Sequence, residues 1–187
     1  MSDQGFTVFE TALGPCAIAW SARGIVGVQF PEGDTAKTRA RMQRRFPAAQ
    51  DQEPPPHIAR VIVDIIALMQ GERRDFDYVA LDLDNAPEFY RKVWDIARMI
   101  PHGQTLTYGE IAIRLGDKLL SRDVGTALGK NPCPIVVPCH RVLAANGKTG
   151  GFSAPGGVDT KLKLLSVERA QPGGPTLFDD LPLVRKR

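Results

Sequence analysis

The sequence predicts an α+β protein built from two unlike halves. Three apolar, β-branched runs separated by short breaks crowd the first 30 residues, which is the pattern of antiparallel strands. From about residue 85 the apolar residues recur with the helical period instead. The charge changes at the same place: residues 1–86 carry a net −3 and residues 87–170 a net +5, within +3 for all 187 residues. The expected division is an N-terminal domain at 1–84, a C-terminal domain at 85–170 and a flexible tail at 171–187.

In the first half, "FTVFETA", "PCAIAWS" and "GIVGVQF" are the strands, with "LG" and "ARG" as the turns between them. "DTAKTRARMQRRF" is a basic helix with Asp34 as its N-cap. A solvated helix face explains its five Lys/Arg better than a phosphate site does. "PAAQDQEPPP" is a connector. "HIARVIVDIIALMQG" is a helix burying Ile58, Val61, Ile62, Ile65, Ile66 and Met69, stopped by Gly71. "FDYVALDLD" is expected to form one more strand.

In the second half, "PEFYRKVWDIARMI" starts a helix at Pro87 and turns Phe89, Val93, Trp94, Ile96, Ala97 and Ile100 inward. "TYGEIAIRLG" opens on Thr107-x-x-Glu110, a capping box, and stops at Gly116. "SRDVGTALGKN" is a second short helix with Ser121 as the expected N-cap. The pair, joined by "DKLL", has the helix-turn-helix pattern, which any αα-hairpin shares. "IVVPCHRV" is expected to be a short buried strand ending at Cys139. "VDTKLKLLSVERA" is the last helix, with Asp159 near its start and Leu162, Leu165 and Val167 inward. In the Pro/Gly-broken tail, Leu177, Phe178, Leu181 and Leu183 are candidates for docking on the body.

No apolar run approaches the roughly 18 residues of a membrane span, and "MSDQGFTVFETALG" lacks the basic start and apolar block of a signal peptide. Three cysteines do not make a disulfide framework, which suits a reducing cytoplasm. His57, His102 and His140 have no metal-like spacing and there is no C-x-x-C, so no metal site is expected. The basic excess around Cys139 is a mild pointer to a polyanion. Cys16 and Cys133 sit in apolar settings as small fillers do. Cys139 stands beside His140, a base able to raise its thiolate fraction, provided a turn or a bridging water joins them. Glu168 is a candidate to orient the imidazole.

From Phe89 to Glu168 the chain closely resembles the O6-alkylguanine-DNA alkyltransferases, also called methylated-DNA–protein-cysteine methyltransferases. The resemblance rests on "IVVPCHRV", on Asn131-Pro132 eight residues before the cysteine, on Arg122 followed by Val-Gly in "SRDVGTALGKN", and on Tyr108 in "TYGEIA". It implies a ribonuclease-H-like N-terminal half and a winged-helix-like C-terminal half. It implies a cytoplasmic, nucleoid-associated monomer without cofactor that binds the minor groove of alkylated duplex DNA. The damaged guanine, or alkylthymine, is flipped out and its alkyl group moves irreversibly to the protein. By the same resemblance Cys139 is the acceptor, His140 a base acting through water, Glu168 its polarising partner and Asn131 the brace of the turn. Tyr108 presses on the target phosphate and donates to the base edge, and Arg122 fills the gap in the stack. The carbonyls of Cys139 and Val142 face the guanine amino group, Ser153 lies near the 6-oxygen, and Gly125 and Arg141 complete the DNA- or base-facing set.

The chain departs from the family's usual pattern at Leu119, Leu120 and Asp123, and in the "GGFSAPGGVD" loop, two residues longer and containing Pro155. Two other readings are weighed against this one. In a damage sensor of the same lineage the cysteine is replaced, which the presence of Cys139 opposes. A Cys-His hydrolase leaves Arg122 and the helix pair unexplained.

Overall fold

The computed structural model describes residues 4–170. Three strands, β1 (Gly5–Thr11), β2 (Gly14–Ser21) and β3 (Gly24–Gln29), form the expected antiparallel meander. A fourth, β4 (Gln50–Asp51), lies inside the stretch expected to be a connector and pairs parallel to β1, so the sheet order is β3-β2-β1-β4. Helix α1 (Thr35–Arg45) packs on one face of the sheet. Its cap is as expected: the Asp34 side chain accepts from the Lys37 amide. Helix α2 (Pro56–Met69) covers the other face with Ile58, Val61 and Ile65, and Gly71 follows at a φ of +91° that favours glycine.

The expected strand "FDYVALDLD" does not form. One bridge joins Leu81 to Ile25, and the guanidinium of Arg98 takes up the carbonyls of Phe76, Asp77 and Val79 that a ladder would have used. The backbone groups find their partners without a neighbouring strand.

Helix α3 (Glu88–Arg98) turns Val93, Trp94 and Ala97 inward, and the buried indole N–H donates to the Ala127 carbonyl at 2.8 Å. Strand β5 (Leu106–Thr107) leads into α4 (Tyr108–Arg114), whose capping box is formed by Thr107 and Glu110. A single 3-10 turn at Lys118–Leu120 joins α4 to α5 (Ser121–Gly129). Ser121 is not the cap of α5: it is the first helical residue, and its hydroxyl donates to the Lys118 carbonyl. Strand β6 (Val142–Leu143) pairs parallel to β5.

Helix α6 (Gly157–Val167) presents a different face from the one expected. Leu162 points outward and Val167 is only half-buried, while Lys161, Leu164, Leu165 and Glu168 are buried. The spacing i, i+3, i+4, i+7 is that of a core stripe, but two of its four members are charged. One continuous apolar cluster runs from Ile18 in the sheet through α2 and α3 to Leu164, so the halves at 1–84 and 85–170 share a core. Among the described residues no helix is long and apolar enough to cross a membrane. The residues of the expected flexible tail lie outside those described.

Candidate active site

The run expected to be a buried strand is a tight turn. Prolines at 134 and 138 limit it to a single bridge between Pro134 and Val137, and Val137 N–H donates to the Cys133 carbonyl at 2.8 Å. Ile135, fully buried, sits at a φ of +77°. For a β-branched residue this is a strained conformation, which persists only where the surroundings over-determine it. Asn131 supplies part of that constraint. Its amide nitrogen donates to the Val137 carbonyl and its oxygen accepts from the Cys133 amide, both at 2.9 Å. Cys139 N–H donates to the same Val137 carbonyl, and a 3-10 turn follows at Cys139–Arg141. This turn is the departure from extended backbone that lets neighbouring Cys and His side chains serve one site.

Cys139 lies half-buried in a cleft of about 680 Å³. Tyr108, Arg122, Gly125, Asn131 and Ser153 line the same cleft, so six of the ten residues singled out from the sequence meet there. Arg122 is exposed at the start of α5. The Tyr108 ring is packed so closely under the following loop that a Cβ on Gly150 would lie 2.8 Å from its hydroxyl, and Gly150 has a φ of +70° besides. The longer loop is tied to the sheet by an edge-to-face contact of Phe152 with Phe30, 5.9 Å between ring centres.

The other four sit behind the thiol. His140 is fully buried, and its Nε2 is 2.7 Å from Oε1 of Glu168. Glu168 also receives Nε and Nη2 of Arg141 at 2.9 and 3.0 Å. Burial pushes the Glu168 carboxyl up, but His140 and Arg141 outweigh it and hold the group well below the usual carboxylate range. Burial lowers His140 despite Glu168, so the imidazole rests neutral. A neutral ring facing a carboxylate carries its proton on Nε2, which leaves Nδ1 as the basic nitrogen, and among the described residues Nδ1 has no hydrogen-bond partner.

Arg141 was expected among the DNA-facing residues. It is 3% exposed, and its remaining nitrogen Nη1 donates to the Ile100 carbonyl at 2.6 Å. Each of its three side-chain nitrogens donates inside the protein, so it braces Glu168 instead of reaching the surface. The Val142 carbonyl accepts from Lys161 Nζ at 2.6 Å.

Lys161 is the member that the sequence reasoning missed. Its side chain is fully buried, Nζ also reaches the Gly151 carbonyl at 3.3 Å, and it lies 5.8 Å from the Tyr108 ring centre. Burial lowers its pKa to about 8. The signal was present: Lys161 stands in register with Leu164, Leu165 and Glu168 on one face of α6. Burial pushes the Cys139 thiol up, against a hydrogen bond from Asn131, the Lys161 charge and the backbone amides of Cys139 and His140. The resting pair is therefore a protonated thiol and a neutral imidazole. Cys16 and Cys133 are buried and pushed to about 12, which suits fillers and not nucleophiles. Among the described residues no group of three or more His, Cys, Asp or Glu is arranged to hold a metal.

The chain is similar to known proteins over most of its length. The sequence pattern of the family described as "6-O-methylguanine DNA methyltransferase, DNA binding domain" matches residues 88–170. A methylated-DNA–protein-cysteine methyltransferase of Mycolicibacterium paratuberculosis is 45% identical over 128 residues, which is 68% of this chain and 75% of that protein. The crystal structure of the Mycobacterium tuberculosis O6-methylguanine methyltransferase superposes with a TM-score of 0.70 at 30% identity, covering 92% of this chain and 96% of the other. A structure from the same organism in complex with DNA gives 0.70 at 32% identity, with 88% and 92% covered. The chain belongs to the methylated-DNA–protein-cysteine methyltransferase family.

Proposed function

We propose that this protein repairs duplex DNA by moving the alkyl group of O6-alkylguanine, and of O4-alkylthymine where present, onto Cys139, once per molecule. One observation carries the reading: the thiol lies in the same cleft as Tyr108, Arg122 and Ser153, with a neutral His140 held by the Glu168 carboxylate behind it. An alkyl group on a guanine oxygen lies inside the duplex, so the base must leave the stack before a thiol reaches it. Arg122, exposed at the start of α5, stacks in the gap while its charge meets phosphate. Tyr108 presses on the target phosphate and donates to the base edge. The carbonyls of Val142 and Cys139 receive the guanine amino group, and Ser153 borders the 6-oxygen.

The sulfur attacks the alkyl carbon, an S–C bond forms and the C–O bond breaks. The bonding electron pair returns to the guanine ring. The thiol's proton passes to Nδ1 of His140 through a bridging water, and the guanine takes up one proton in exchange. The balance needs no oxidant, reductant or cofactor, and a thioether is not hydrolysed, so the protein ends inactive.

Further proposals rest on the same reading. Residues 1–84 form a ribonuclease-H-like domain, residues 85–170 a winged-helix-like domain entering the minor groove through α5, and the tail is dispensable. The protein works as a monomer in the cytoplasm at the nucleoid. Intact-mass analysis after incubation with methylated duplex tests the core claim. One methyl per molecule, on the peptide holding Cys139 and absent in Cys139→Ser, is expected. No gain at all would leave a binding protein, and catalytic release of product a hydrolase.

A further inference from the structure

The turn that carries Cys139 is held from the N-terminal sheet as well as from within. The Pro132 carbonyl accepts two hydrogen bonds from that half, from Val28 N–H at 2.9 Å and from Nη2 of Arg45 at 3.0 Å. Arg45 is fixed in turn. Its Nη1 donates to the Val28 carbonyl at 2.8 Å and to Oε1 of Gln29 at 2.9 Å, and its guanidinium lies over the Phe46 ring. Room for this arrangement comes from Gly27, where a Cβ would lie 2.4 Å from the Phe46 ring. Pro132 is flanked by Asn131 and Cys133, the residues whose hydrogen bonds shape the strained segment up to Val137. Val137 in turn receives the Cys139 amide.

From this chain of contacts we infer that Arg45, in the N-terminal half, is a positioning residue for alkyl transfer. With Val28 it fixes the Pro132 carbonyl and thereby keeps the strained turn in the one shape that presents Cys139 to the cleft. The inference rests on the transfer reading above. Arg45 lines the cleft wall, but the donors named above are engaged with three acceptors of the protein, so contact with DNA is not its role. Strain at Ile135 makes the turn prone to relax when a constraint is removed. A displacement of about 1 Å in a reacting group costs on the order of 100-fold in rate.

Arg45→Met and Arg45→Lys test it in the full chain, by three measurements. They are single-turnover transfer from alkylated duplex and from free O6-alkylguanine, the pH profile of Cys139 alkylation by iodoacetamide, and thermal unfolding. Arg45→Met is expected to lose ~10–100-fold in maximal transfer, equally on duplex and free base, with duplex affinity unchanged. Its thiol profile should move to higher pH, because a relaxed turn withdraws Asn131 and the backbone amides from the thiolate. Arg45→Lys should recover part of both, since an ammonium reaches one carbonyl but not three acceptors. If Arg45→Met does not fold, the thiol profile of Arg45→Lys decides alone, and an unshifted profile overturns the inference. Loss confined to duplex would make Arg45 a DNA contact. Loss that tracks the unfolded fraction and disappears on cooling, with an unshifted profile, would make it a stability element. A wild-type protein that takes up no alkyl group would sink the transfer reading, while the thiol profiles would still report on the turn.

Discussion

The two sides of Cys139 are built on opposite plans. In front, Tyr108, Arg122 and Ser153 line an open cleft, on short helices and a loop that leave their side chains accessible. Behind, His140, Arg141, Lys161 and Glu168 are all at most 3% exposed, with their charges closed on one another and on backbone carbonyls. The front meets a partner that arrives from solution. The back sets protonation states before anything arrives. Changes behind the thiol should therefore alter stability and pH dependence, whereas changes in front should alter the use of duplex DNA.

The largest effect is expected from Glu168→Gln. Arg141 would be left buried without its carboxylate, and breaking such a pair costs about 3–5 kcal/mol. Thermal melts should show it. The carboxyl is held below its usual range, so its contribution is complete above about pH 4.3, the unfolded-chain value, and is lost as the pH falls through the folded value. The melting gap between wild type and variant should therefore be constant near neutrality and close in acid. A gap that widened in acid would mean that Glu168 is not the anion of the cluster.

Next comes Arg122, at the front. Arg122→Lys keeps the charge but has no plane to stack, and should lose about five- to a hundred-fold in repair of duplex, a stacking contribution of about 1–3 kcal/mol. Arg122→Ala should lose more. Repair of the free alkylated base, which needs no extrusion, should barely change. Equal losses on both substrates would move Arg122 to the back of the comparison.

Lys161→Met removes a cation whose charge favours the thiolate. Iodoacetamide reactivity of Cys139 below pH 8 should fall, and transfer near neutrality should slow with it. Above pH 8 the lysine of the wild type itself loses its proton, so the two proteins should converge there. The smallest effect is expected from Asp123→Asn. Asp123 lies exposed in the first turn of α5, where its charge favours the helix by about 0.3–1 kcal/mol. The same charge opposes phosphate, so the variant should bind duplex about two- to fivefold tighter at low salt, a change of about 0.4–1 kcal/mol, and melt slightly lower.

The front was legible in the sequence because its residues stand at fixed offsets along continuous segments: Tyr108 after a capping box, Arg122 ahead of Val-Gly, Asn131 before Pro132. The back was only half legible. Glu168 was a candidate, but Lys161 was passed over for Leu162, since a lysine is ordinarily placed outward and a leucine inward. Arg141, set among the DNA-facing residues by the resemblance alone, turns inward to Glu168. Elsewhere the losses trace to partners far away in the chain. Strand β4 exists because β1, some forty residues earlier, offers it an edge. "FDYVALDLD" has the composition of a strand, but its carbonyls go to Arg98 on α3. The buried "IVV" has β-branched residues in plenty, and the prolines on either side fold it into a turn. Local signals such as the Asp34 cap and the Thr107–Glu110 box needed no distant partner and appear as expected.

The ladder between β5 and β6 is two residues long, Leu106 opposite Val142 and Thr107 opposite Leu143. Tyr108 begins immediately after one strand, and the turn bearing Cys139 ends immediately before the other. These two rungs act as a caliper whose jaws are the start of α4 and the sulfur atom. The span is set by register alone, so it is the same whichever sequence surrounds the lesion. Adding or deleting a single residue in either strand would leave both jaws intact but miscalibrated, since a one-residue slip turns each side chain to the opposite face. Such a protein would still seize a damaged base and would hold it where the sulfur is not.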